Sequence, residues 1–368
     1  MANTYGNNIT LSIYGGSHDT EIGVKMEGFP KGVAIDTDAL QAFLARRAPG
    51  GNTLSTPRKE SDTPLFLSGL ENGVTTGDTL HAAIRNENAR SSDYSFVYDT
   101  PRPGHADFAA LQKYGKDVDL RGGGRFSGRL TAPLCIAGGM ALQYLSTRGI
   151  FIGAHVSSVA DVNDTRFGTE ITQAQLKALT AMPFPLLDTQ KEAQMRERIL
   201  SARAEGDSVG GVVECAVIGL PAGLGEHMFD GVEGRVAAML FSVPAVKGVE
   251  FGDGFASSRV RGSENNDTFR TDGKRVFTAT NHCGGILGGM TNGMPLVFRA
   301  AFKPTPSIAK QQQTVSLSRM ENTTLSIGGR HDPCVVLRAV PVVEAAAALA
   351  VLDLLLDSEK EGELYAVR

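Results

Sequence analysis

Nowhere among the 368 residues is there an uncharged apolar run long enough to span a bilayer. The best stretch, 342–356, carries Glu344 and Asp353, so no transmembrane helix is expected. The four cysteines, Cys135, Cys215, Cys283 and Cys334, lie far apart with no C-x-x-C pair. That excludes the usual disulfide framework and zinc ribbon and leaves reduced, buried thiols as the expectation. The first ten residues, MANTYGNNIT, have neither a basic start nor an apolar stretch. No secretory signal is expected from them, and the expected compartment is cytoplasmic. Positive charge is not in surplus either: the formal net charge is −4, which argues against a nucleic-acid binder with a wholly basic surface. Neither a linker-like stretch nor a repeat of fixed period interrupts the chain.

What is present is a globular balance, with 42% hydrophobic and 21% charged residues, enough to bury a sizeable core. Arginine outnumbers lysine, 24 to 12, and recurs beside glycine, of which there are 43. Guanidinium groups grip phosphate and carboxylate through paired N–H donors, and glycine lets backbone amides come close to a ligand. The pairing points to a small anionic ligand.

Residues 9–14 alternate apolar and polar side chains, predicting a half-buried strand that ends at Gly15-Gly16. Asp36-Thr37-Asp38 caps a helix with Leu40, Phe43 and Leu44 on one face and Arg46 and Arg47 in its last turn. Residues 132–148 read as an apolar helix, 172–180 and 189–204 as surface helices, 211–218 and 295–302 as strands. Residues 341–358 read as a closing apolar helix with proline in its first turn. Helices and strands mix without βαβ alternation, which favours an α+β arrangement.

Three familiar motifs fail on context. Gly206-Asp207-Ser208-Val209-Gly210 has the letters of a nucleophile elbow, but a helix precedes it and a strand follows, the reverse of what that elbow needs. A structural turn is expected there. Gly273-Lys274 lacks the rest of a P-loop, and residues 284–289 lack the spacing of a dinucleotide fingerprint.

Five segments carry unusual chemistry. Tyr14-Gly15-Gly16-Ser17-His18-Asp19 places a histidine in a glycine-opened loop at a strand end; one such histidine alone serves structure more often than catalysis. Arg102-Pro103-Gly104-His105-Ala106-Asp107 displays three chemical groups on one turn, and is equally compatible with a capped turn. Arg121-Gly-Gly-Gly-Arg125-Phe126-Ser127-Gly128-Arg129 runs into an apolar helix. Glycine amides at a helix start bind anions, and Arg125 and Arg129 would share a face if helical. Lys303-Pro304-Thr305-Pro306-Ser307 is a stiffened strand exit rich in donors, and Gly329-Arg330-His331-Asp332 offers a carboxylate that is either Arg330's partner or an acid–base group. Together they supply cations for a departing anion and groups that move protons, the needs of a phosphate elimination.

At these residues the sequence resembles the chorismate synthase family. The resemblance covers about residues 5–356 through R-P-G-H-A-D, the R-G-G-G-R-x-S-x-R segment, G-D-S-x-G, A-V-K-G-V-E-F-G-D-G-F, N-H-C-G-G-I-L-G-G, F-K-P-T-x-S-I and G-R-H-D-P-C. It implies a single α+β domain with helices layered between antiparallel β-sheets, assembled as a homotetramer. It further implies conversion of 5-enolpyruvylshikimate 3-phosphate to chorismate and phosphate, with reduced FMN required though no net redox change occurs. Position by position, it implies His18, His105 and Asp332 as catalytic. Ser17, Arg46, Arg47, Arg102, Arg129 and Arg330 would bind substrate. Arg125, Phe126, Ser127, Pro244, Ala245, Gly288, Lys303, Pro304, Thr305, Pro306, Ser307 and Arg330 would bind the flavin. No metal is implied.

The chain also departs from the pattern. Where the family reads F-G-E-S-H-G, Gly16 replaces the glutamate and Asp19 replaces the last glycine. A carboxylate is thereby restored directly after His18, and its use depends on whether the loop folds the two together. Ala48 and Thr53 stand where relatives carry arginines linked to a nicotinamide nucleotide, although Arg47 is retained. With no reductase segment evident, an external flavin reductase is the expected source of reduced FMN. A non-catalytic relative that binds flavin or a phosphorylated ligand as a sensor is disfavoured by the intact histidines and Asp332, and RNA binding by the net charge and the few aromatics beside the Arg-Gly segments.

Overall fold

Two apolar helices that no single partner could cover set the architecture. The computed structural model describes residues 4–50, 54–55, 60–86, 91–328 and 331–360. Its helices are α1 (Thr37–Arg47), α2 (Asp107–Tyr114), α3 (Thr131–Thr147), α4 (Gln173–Ala181), α5 (Glu192–Ala204), α6 (Val232–Ser242), the single turn α7 (Gly262–Asn265) and α8 (Val336–Lys360). α3 and α8 are apolar on nearly every side and pack on each other in the middle of the molecule, as helices without a polar face must.

A five-stranded antiparallel sheet covers each side of this pair. The first has the order Thr4–Tyr5, Thr10–Gly15, Glu21–Glu27, Leu80–Arg85, Leu65–Ser68 and lies against α3. The second runs Val246–Phe251, Leu296–Phe302, Gly211–Ile218, Phe151–Val159, Val162–Asn163 and lies against α8, with α4 on its outer face. The result is the α+β sandwich, with helices layered between antiparallel sheets. α3 approaches α8 closely at Gly138 and α1 closely at Gly139. A Cβ on Gly138 would fall within 2.5 Å of Ala345 Cα, and one on Gly139 would strike Leu40 Cδ1 at 2.5 Å.

α8 differs from its sequence reading at its start. It begins at Val336, so Pro341 is inside the helix rather than in its first turn. The missing N–H costs one intrahelical bond, but packing on both sides carries the helix through. By length and composition α8 could cross a membrane, yet it is almost wholly buried within this fold. Its acids are compensated: Glu344 accepts from both Nη atoms of Arg46 and from the Ala154 amide. Asp353 accepts from the amides of Asn7, Asn8 and Ile9 and from Arg235. The four cysteines are free, three of them buried and Cys283 partly exposed.

Asp353 thus ties the first strands to the central helix. Asp353→Ala leaves three amides without their acceptor and takes from Arg235 its buried partner, with Asp357 remaining, and should cost roughly 3–5 kcal/mol. Urea unfolding should show a lower midpoint at unchanged slope; a midpoint within error of wild type would refute this tie.

Candidate active site

Loops from both sheets and the first turns of α3 and α8 converge on a cavity of about 590 Å³, within the size range of small-molecule sites. Its wall depends on the triple glycine. Gly122, Gly123 and Gly124 have φ of 58°, 92° and 51°, a left-handed run that other residues avoid. A Cβ on Gly122 would fall 2.5 Å from His18 Nε2, and one on Gly123 would fall 3.3 Å from His105 Nε2. The loop is therefore threaded between the two histidines. Ser127, extended at φ −71° and ψ 142° between two short turns, breaks the helical spacing expected to align Arg125 with Arg129. Arg129 turns inward and is buried, whereas Arg125 is exposed with its guanidinium 5.5 Å from the Tyr114 ring centre.

The R-P-G-H-A-D turn is organised by its last residue. Asp107 is fully buried and accepts from Arg102 Nε and Nη2, both at 2.7 Å. Burial alone would raise this carboxyl's pKa, but Arg102 and His105 outweigh it and hold the group far below the ordinary range. His105 Nδ1 lies 2.8 Å from Asp107 Oδ1 and 3.1 Å from Arg102 Nη2. Arginine has only hydrogens to give, so the shorter, carboxylate contact assigns the proton to Nδ1 and leaves Nε2 on the side of Gly123. Arg102 Nη1 donates to Ser307 Oγ at 3.3 Å and Lys303 Nζ to Gly104 O at 2.9 Å, joining this turn to the 303–307 segment. Ser208, of the discarded elbow motif, donates to Thr305 O at 2.7 Å and so serves as a structural pin.

Opposite, Asp62 is buried between Arg47 and Arg129, and Glu60 pairs with Arg129 at 2.9 Å. Arg338 donates to Arg47 O at 2.9 Å and to Asp332 Oδ2. Among the described residues six cations, Arg47, Arg102, Arg129, Arg338, Lys247 and Lys303, face the cavity against two carboxylates, Glu60 and Asp332. Burial, then the nearby Lys247, pulls the Lys303 pKa down. Such a surplus in a partly closed space attracts anions strongly.

Of the residues expected at the site, Ser17, Arg47, Arg102, His105, Phe126, Ser127, Arg129, Pro244, Ala245, Lys303, Thr305, Pro306, Ser307 and Asp332 line this one cavity. His18 stands directly behind Gly122 in its wall. Arg46 instead forms the ion pair with Glu344. Pro304 is exposed beside Gly210, and Gly288 lies in the turn joining Ile286–Leu287 to Met290–Thr291. Arg330 lies outside the described residues. The Asp19 amide donates to Gly16 O, and the Asp19 carboxylate sits 3.3 Å from where a Cβ of residue 16 would be. The room left by the absent glutamate side chain is thus taken by Asp19. Sequence reasoning missed Glu60, Asp62, Lys247 and Arg338; a lone arginine at the start of an apolar helix was the one available sign of the last.

Residues 9–356 match the family model described as chorismate synthase. The chain belongs to the chorismate synthase family. The chorismate synthase of Lancefieldella parvula is 44% identical over 98% of this chain and 99% of its own length. Those of Dehalococcoides mccartyi and Thermococcus gammatolerans are each 45% identical, over 97% and 95% of this chain and 97% of their own lengths. A solved structure described as a crystal structure of chorismate synthase superposes with a TM-score of 0.75 at 27% identity, covering 96% of this chain and 93% of that one. Membership makes the chain a lyase of the shikimate pathway.

The Asp62 pair gives a pH-dependent prediction. Burial would raise the Asp62 carboxyl's pKa, but Arg47 and Arg129 outweigh it and lower it. A carboxyl with a depressed folded-state pKa stabilises the fold above its unfolded value, about 4, and loses that contribution as pH falls through the folded value. Asp62→Asn should therefore cost roughly 3 kcal/mol at pH 7 and lose less stability than wild type on acidification below about pH 4. Parallel acid limbs in urea unfolding would exclude Asp62 as the source.

Proposed function

We propose that the cavity binds 5-enolpyruvylshikimate 3-phosphate beside reduced FMN and catalyses the anti-1,4-elimination of phosphate that yields chorismate. The observation that carries this reading is the convergence, among the described residues, of six cations and the histidines His18, His105 and His331 on one cavity, matched to a substrate bearing a phosphate and two carboxylates. The flavin fits the residues present. The Thr305 hydroxyl is buried without a hydrogen-bond partner among the described residues, and Thr305 lines the cavity together with Lys303 and the Lys247 that lies near Lys303. Ala245 adopts φ 75° at the rim, the kind of strained backbone that collects at ligand sites. Lys303, Thr305, Pro306, Ser307, Pro244, Ala245, Phe126 and Ser127 would hold the group.

When bound, reduced FMN supplies transient electron density and a place for the ring proton that no side-chain base is strong enough to remove. The protein's share is binding, orientation and charge. Arg129, Arg47 and Arg338 draw in the phosphate and carboxylates and neutralise charge as the C–O bond breaks. His18 holds the proton that the departing phosphate oxygen takes up. His105, its tautomer fixed by Asp107, presents Nε2, and Asp332, oriented by Arg338, offers a carboxylate at the cavity that would take up and pass on a proton. The C–H and C–O bonds break and a ring double bond forms, so no electrons are consumed. An external reductase supplying reduced FMN, a cytoplasmic setting and a homotetramer complete the reading; Phe229 and Phe255, 87% and 81% exposed, are large apolar surfaces of the kind subunit contacts cover.

Under nitrogen, one equivalent of reduced FMN should support many turnovers, followed by chorismate absorbance and released phosphate, and oxidised FMN should support none. Product formed only in proportion to flavin oxidised would refute the mechanism. Arg129→Ala should raise the substrate KM roughly 10- to 100-fold through loss of charge-assisted hydrogen bonds, with flavin affinity nearly unchanged. An unaltered substrate affinity would remove Arg129 from the binding set.

A further inference from the structure

Asn86 follows the Leu80–Arg85 strand and belongs to none of the segments singled out by sequence. Its side chain makes three contacts that join separate parts of the site. Nδ2 donates to Gly16 O at 3.2 Å and to Asp19 O at 2.8 Å, the two ends of the turn that carries Ser17 and His18. Oδ1 accepts from Arg129 Nε at 3.3 Å. Its backbone amide, donating to Thr20 O at 3.0 Å, holds the residue beside the same turn. The donors and the acceptor of one amide are thus divided between two functional elements. The arrangement also fixes which end of the amide is oxygen, because a guanidinium can only donate and a carbonyl can only accept.

We propose that Asn86 is a positioning residue that sets the His18 turn and the Arg129 guanidinium relative to each other, with His18 as proton donor and Arg129 as anion binder as in the proposed function above. Gly16 adds no side chain to the turn, the exposed Asp19 closes it through its amide, and Ser17 ties it to the glycine loop at Gly122 O and Gly124 O. The Asn86 amide therefore supplies the restraint on the carbonyl side of the turn. Substrate seated on Arg129 is placed against His18 through a single rigid planar group.

Asn86→Asp separates the two links, since it keeps an oxygen for Arg129 Nε and loses both donors to the turn. Expected is a fall in kcat of roughly tenfold or more, from misplacement of the proton donor, with substrate KM changed by less than about twofold. Asn86→Leu removes the acceptor as well and should add a rise in KM of roughly fivefold, the loss of one hydrogen bond to a charged group. Should the aspartate variant not fold, Asn86→Ser, too short to reach the turn carbonyls, takes its place in the kcat measurement. The turn is also read without turnover: the His18 Hε1 resonance of the ligand-free protein, assigned by its loss in His18→Gln, should move in Asn86→Asp or Asn86→Ser. An unmoved resonance, or kcat and KM altered equally in the aspartate and leucine variants, overturns the link. A moved resonance in a protein that releases no phosphate from the enolpyruvyl substrate overturns the assigned reaction and leaves the link standing.

Discussion

A guanidinium cannot shed its proton inside a protein, and that constraint governs how this site is built. Removing Arg47, Arg102, Arg129 and Arg338 from bulk water costs several kcal/mol per ion unless each meets a countercharge. The fold answers with acids placed behind or beside the cavity surface: Asp62 under Arg47 and Arg129, Asp107 under Arg102, Asp332 beside Arg338. The lining still carries more cations than carboxylates, so the protein remains stable while retaining an attraction for anions. Held by these acids and by Thr131, Asn86 and the Arg47 carbonyl, the guanidinium groups are oriented before a ligand arrives. Preorganised charge of this kind favours the transition state because little reorientation remains to be done as charge develops.

Glycine solves the complementary problem of bringing backbone close to the two histidines. The 122–124 turn passes between His18 and His105 at distances that admit no side chain at Gly122. A rigid strand end, the Asp107-anchored turn and the start of α3 thus meet around a stretch of chain with almost no volume. The cost is conformational entropy in the unfolded chain, offset where the flanking residues are held: Ser17 Oγ donates to Gly122 O at 2.9 Å, and the Ser17 amide donates to Gly124 O at 3.2 Å.

The elements legible in the sequence are those whose signal is local. Residues 211–218 form the expected strand to the residue, and the Asp36 cap and the apolar α3 appear where their patterns place them. The motif segments, too, meet at one cavity as their shared chemistry implied. What could not be read depends on partners distant in sequence. Arg46 and Arg47 are neighbours with the same charge in the same helical turn, yet one binds Glu344 across 298 residues and the other Asp62 across 15. Spacing gave no means to tell them apart. The alignment of Arg125 with Arg129 failed because an i,i+4 rule presumes helical backbone, which the extended Ser127 between them interrupts. α8 was read as starting late because proline is weighted toward first turns, whereas burial on both sides sustains the helix through Pro341.

α8 finally shows why stability and chemistry are hard to separate here. Along one buried helix, Arg338 orients Asp332, Glu344 holds Arg46 and the Ala154 strand, and Asp353 gathers the first strand connection. The two sheets therefore keep their separation through the element that presents Arg338 to the cavity. A shift of α8 would move the Asp332 contact and the Arg47 carbonyl contact together, since Arg338 makes both. Catalytic geometry that tolerates little displacement is in this fold referred to the most deeply buried segment, where close packing on Gly138 and the paired acids leaves the least freedom to drift.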